Sequence, residues 1–99
     1  MIKVNTINKN DDYTVEIDGR FDTNNAYVVD SAISKIIPVA KTIEFDMKKL
    51  EYVSSSGLRV LLQTAKRLGK DNITIINANE TVKEIFNVTG FDEILNIKE

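Results

Sequence analysis

Apolar positions along this chain recur alternately at spacing two and at helical spacing. Residues 1–7 place Ile2 and Val4 against Lys3 and Asn5, which predicts a strand. A polar turn, Asn8 to Asp12, leads to a second strand in which Tyr13, Val15 and Ile17 alternate with Thr14, Glu16 and Asp18. The two segments should form a hairpin, with Gly19 ending or bulging the second strand. Asp22 or Thr23 can cap a helix beginning near Asn24, whose apolar face is Ala26, Val29, Ile33, Ile36 and Ile37. Pro38 should stop it. Ile43, Phe45 and Met47 mark a third strand over residues 42–47.

The next helix has one apolar stripe, Leu58, Leu61, Leu62, Ala65 and Leu68. Gly69 should end it, with Lys66, Arg67 and Lys70 suiting the negative end of the helix dipole. Residues 73–76 read as a short buried strand. Asn79 or Thr81 caps a third helix bearing Val82, Ile85, Phe86 and Thr89, and Gly90 closes it. Residues 94–97 add an edge strand. The order β-β-α-β-α-β-α-β predicts an α/β fold. We expect one domain over residues 1–99, with a mixed sheet of four to five strands and amphipathic helices mainly on one face.

Composition narrows the chemistry more than the fold. The 99 residues include 13 Lys+Arg and 15 Asp+Glu, giving a net charge of −2, and no His, Cys or Trp. Without His or Cys there is no Ser-His-Asp or Cys-His nucleophile pair. A zinc site would need carboxylates alone, and no disulfide can form. The charge argues against direct nucleic-acid binding, which needs a basic surface. The N-terminus lacks the apolar run of a signal peptide, and no stretch approaches the ~20 apolar residues of a membrane span. These features point to a cytoplasmic protein that does not insert into membranes. No metal or cofactor is called for.

The segment that stands out is Ser54-Ser55-Ser56-Gly57-Leu58-Arg59, where a strand and short loop give way to a helix. A helix start carries unpaired N–H groups and about half a positive charge. One reading is that these serines only cap the helix. One cap needs one serine, however, and three small hydroxyl residues with a glycine leave the helix start open to another protein. A phosphoserine here would add about −1.5 to −2 charge at one point of a weakly acidic chain. A catalytic serine is the remaining reading. No Gly-x-Ser-x-Gly elbow exists, so it would need a dyad with Lys48 or Lys49.

Ser54-Ser55-Ser56-Gly57-Leu58-Arg59-Val60-Leu61-Leu62, preceded by Asp46 and Leu50, resembles the signature of STAS domains, in particular the bacterial anti-sigma-factor antagonists. Gly19-Arg20-Phe21-Asp22 followed by Ala26 resembles that family's second motif, and Val82, Ile85, Phe86, Thr89, Gly90 and Phe91 its C-terminal helix. The resemblance implies a partner-switching protein. The unmodified form binds an anti-sigma factor that is also a serine kinase, and the sigma factor is released. Phosphorylation of a serine at the helix start ends binding, and a PP2C-type serine phosphatase restores it.

The family's acceptor lies two residues before the glycine, which is Ser55 here, with Ser56 as runner-up. Position 54 is Ser where many members carry Asp. The resemblance implies partner contacts at Asp22, Asn24, Ser54, Ser55, Ser56, Gly57 and Arg59, with Asn25 on the same loop rim. Asp22 could equally cap the first helix. Asp46 could be a strand-end carboxylate held by nearby N–H groups, and Arg59 could simply be solvated. The alternative function is a STAS-type scaffold, or a module for a small ligand or lipid in a signalling or transport assembly, with a pocket near the same loops.

Overall fold

The first two alternating segments pair as expected, with Asn10 at φ 62° in the tight turn between them. In the computed structural model, which describes residues 2–98, β1 (Ile2–Lys9) runs antiparallel to β2 (Asp12–Phe21). Met1 and Glu99, the ends of the expected domain, lie outside the described residues. There follow α1 (Ala26–Ile36), β3 (Thr42–Asp46), β4 (Leu50–Val53), α2 (Ser55–Leu68), β5 (Ile73–Ile76), α3 (Glu80–Thr89) and β6 (Asn96–Ile97).

The sheet has six strands rather than four or five. Its order is β1-β2-β3-β5-β6, and β4 pairs with β2. Every pairing except the β1–β2 hairpin is parallel. The additional strand arises because β2 is long. Its first half, Asp12 to Glu16, pairs with β3, while Gly19 to Phe21 pair with β4. The register shifts between Gly19 and Arg20, and Gly19 adopts φ 105°, a bulge that needs glycine. The strand therefore continues past Gly19 and carries Phe21 to the loop before α1.

Strand alternation shows which face is covered. Val15, Ile17, Ile43, Phe45, Ile73 and Ile75 are buried, whereas Thr14, Glu16, Glu44, Asp46 and Thr74 between them are only half-buried. The helices add their apolar stripes to the same single core. This is the layered arrangement expected, with helices mainly on one face. Burying a Phe such as Phe45 or Phe86 contributes about 1.5–3 kcal/mol of transfer free energy.

Each helix differs from its expected form in one respect. α1 starts at Ala26, two residues later than predicted, and its N-cap is Asn25 with no side-chain cap bond. Neither Asp22 nor Thr23 caps it. Asp22 instead folds the chain into a turn ahead of the helix, as its carboxylate accepts the Asn24 N–H at 3.0 Å. The buried stripe of α2 includes Val60 and Thr64, while Leu62 and Leu68 are half-buried. Thr64 can be buried because its hydroxyl donates to the Val60 carbonyl at 2.7 Å. Thr89 of α3 lies outside the core, exposed, with its hydroxyl on the Ile85 carbonyl at 2.7 Å. Gly69 and Gly90 end α2 and α3 as predicted.

Candidate functional site

β4 delivers the chain to the start of α2, and β2 delivers Phe21 beside it. The two are joined by the Ser54 N–H, which donates to the Phe21 carbonyl at 2.8 Å. Ser54 is the N-cap, and its hydroxyl accepts the Gly57 N–H at 3.3 Å. Its carbonyl accepts the Leu58 N–H at 2.9 Å, so the helix is wound from the first turn. Gly57 is buried. A Cβ there would lie 2.8 Å from Val53 Cγ2 and 3.0 Å from Phe21 Cγ. The glycine lets the first turn of α2 sit directly on the ends of β2 and β4, and this packing role is the one its geometry supplies.

The three serines are thereby given different surroundings. Ser54 is half-buried and used as the cap. Ser56 is half-buried and shares a hydrogen bond with the Thr23 hydroxyl at 3.1 Å, tying the β2–α1 loop to the helix start. Ser55 is exposed, and its hydroxyl has no hydrogen-bond partner among the described residues. The first turn of α2 also contains no acidic residue, so the helix itself supplies no carboxylate to its positive end.

The loop on the other side of the site is held rigidly. Asn25 accepts the Asp22 N–H through Oδ1 at 2.9 Å and donates through Nδ2 to the Arg20 carbonyl at 2.7 Å. Asp22 is half-buried and Asn24 is exposed on this rim. Arg59 is exposed one turn into α2. The Thr23–Ser56 contact thus joins the turn that carries Asp22 and Asn24 to the helix start formed by Ser54, Ser55, Ser56 and Gly57, with Arg59 one turn further along α2.

Asp46 stands apart from this group. It faces the half-covered side of the sheet, in register with Glu16, and accepts the Lys48 N–H at 3.0 Å and the Asn77 side-chain amide at 3.1 Å. That is the strand-end role, satisfied by nearby N–H groups. Lys48 and Lys49 do not reach the serines either. With Lys3, Glu16, Asp18 and Asp46 they line a cavity of about 460 Å³ on the sheet side. A second cavity of about 410 Å³ involves Glu80, Lys83 and Asp92. Neither of these two cavities borders the serines or the Asp22 turn. Sequence reasoning missed Thr23 as a contact of the site. Its hydroxyl, one residue after the Gly-x-x-Asp motif, was a visible signal read only as a helix cap.

The STAS domain profile matches residues 3–99. The chain belongs to the STAS-domain family. The anti-sigma-B factor antagonist of Staphylococcus epidermidis is similar to it at 23% identity over 104 residues, covering 99% of this chain and 94% of that protein. The crystal structure of an anti-sigma factor antagonist from Mycobacterium paratuberculosis superposes with a TM-score of 0.89 at 20% identity, over 98% of this chain and 85% of the other. The Bacillus cell fate determinant SpoIIAA in its phosphorylated form superposes with a TM-score of 0.72 at 16% identity, over 100% and 92% of the two chains. At these identities the two structures speak for the fold. No helix among the described residues is long and apolar enough to cross a membrane.

Proposed function

We propose that this STAS domain is an anti-sigma-factor antagonist switched by phosphorylation of Ser55. The unmodified helix start and the Asp22–Asn25 turn dock on an anti-sigma factor with serine kinase activity, which then gives up its sigma factor. The observation that carries the reading is the division of labour among the serines. Ser54 caps, Ser56 is bonded to Thr23, and only Ser55 offers an exposed hydroxyl without a partner among the described residues.

The switching step is a phosphoryl transfer. Ser55 Oγ bonds to the γ-phosphorus of the kinase's ATP, the bond from that phosphorus to the β,γ-bridging oxygen breaks, the hydroxyl proton passes to a base of the kinase and ADP leaves. A PP2C-type serine phosphatase reverses it by hydrolysis. The dianion adds about −1.5 to −2 charge to a surface that was docked and desolvated, so binding weakens without unfolding the domain. The names of the relatives, the STAS membership and a first turn of α2 without an acidic residue support this role. The test is binding and phosphorylation with the cognate anti-sigma factor. Ser55→Asp should bind poorly and Ser55→Ala should bind but accept no phosphate. The site is wrong if both variants bind like the wild type and Ser55→Ala is still phosphorylated.

A further inference from the structure

Arg59 lies four residues after Ser55 on α2, and both side chains are exposed. Residues four apart on a helix are surface neighbours, and each side chain leans toward the N-terminus over the preceding turn. From this position the Arg59 side chain is within reach of the turn that carries Ser55. An acid placed N-terminal to a base at this spacing is also the more stabilising of the two orders. Arg59 makes no ion pair, hydrogen bond or ring contact among the described residues. The other two arginines are engaged: Arg20 lies 4.5 Å over the Tyr52 ring, and Arg67 reaches the Ser34 hydroxyl at 3.4 Å.

We propose that Arg59 is the intramolecular receptor of the Ser55 phosphate. The phosphoryl oxygens offer a planar guanidinium two parallel acceptors, a geometry a lysine cannot match. Modification then does two things at once. It adds negative charge to the docking surface, and it draws a cation of that surface back onto the helix. Arg59 acts through the phosphate as a positioning residue.

The proposal rests on Ser55 being the modified serine, and its test is kept separate from that question. The full chain is prepared with phosphoserine installed at position 55 during synthesis, with and without Arg59→Gln. Thermal unfolding and the NMR signal of the Arg59 Nε–H are compared with the unmodified proteins. Phosphorylation should raise the melting temperature by about 1–4 °C more in the wild type than in Arg59→Gln. It should also move the Arg59 Nε–H signal downfield, and Arg59→Lys should keep only part of the thermal increment. Equal increments in wild type and Arg59→Gln, with the Nε–H signal unmoved, would overturn the proposal. Failure of partner switching would leave this cycle readable, and failure of this cycle would leave partner switching standing.

Discussion

The starts of α2 and α3 are built alike and finished differently. Each has an extended N-cap residue whose side chain accepts the N–H three residues on, Ser54 from Gly57 and Asn79 from Val82. At α3 the third position is Val82, a buried apolar anchor, and Glu80 in the first turn supplies the negative charge that the dipole favours. At α2 the third position is a glycine pressed against Val53 and Phe21, and the first turn has hydroxyls and no acid. The start of α3 carries its own carboxylate in the first turn. The start of α2 is packed as closely but left open to an anion, and it also has a spare hydroxyl on which one can be installed.

The sharpest way to break that contrast is to place negative charge at the start of each helix in turn. Phosphate at Ser55 should weaken binding of the anti-sigma partner on the order of 100-fold. Thr81→Asp at the corresponding turn of α3 should leave binding unchanged, as isothermal titration would show. Equal losses would mean that general charge, not the site, governs binding.

Packing supplies the next effect. Gly57→Ala should cost about 1–3 kcal/mol in denaturant unfolding, because the added methyl meets Val53 Cγ2 and the Phe21 ring. A neutral result would show that the α2 start is not wedged onto the strands.

The caps come next. As caps, Ser54 and Asn79 should each contribute about 1 kcal/mol, with Asn79→Ala costing more than Ser54→Ala because Asn79 Nδ2 also donates to the Leu50 carbonyl at 2.9 Å, while Ser55→Ala should change stability by less than about 0.5 kcal/mol. If Ser55→Ala cost as much as Ser54→Ala, Ser55 would be a structural serine.

The smallest effect is the charge at the helix ends themselves. Ser55→Asp should stabilise the fold by about 0.3–1 kcal/mol at low salt, and Glu80→Gln should destabilise it by a similar amount. Both should fade as ionic strength rises. No gain from Ser55→Asp would mean that the α2 dipole is already compensated.

Much of this was legible in the sequence where one physical signal decided the outcome. The α2 stripe, the Gly69 and Gly90 stops and the open serine helix start follow from periodicity and capping chemistry, which also narrowed the α3 cap to Asn79 or Thr81. What was hidden depended on tertiary context. Residues 50–53 are a strand only because β2 runs past the Gly19 bulge and offers its far half as a partner. Nothing within Leu50-Glu51-Tyr52-Val53 carries that information. Asp22 has the chemistry of an N-cap, but Asn25 binds its N–H and its carboxylate folds back on Asn24, which delays the helix. The triple serine pointed to a site without distinguishing its members. The distinction came from the Thr23 contact, 33 residues away in sequence, which occupies Ser56 and leaves Ser55 without a partner among the described residues.

The central claim is that Ser55 alone is the switch, and phosphosite mapping tests it most directly. The intact protein is purified from its native cells and also after incubation with its anti-sigma factor and ATP. Fragmentation of the peptide that spans residues 54–56 should place a single phosphoryl group on Ser55. Ser55→Ala should acquire none. A phosphate on Ser54 or Ser56, or one retained by Ser55→Ala, would contradict the account.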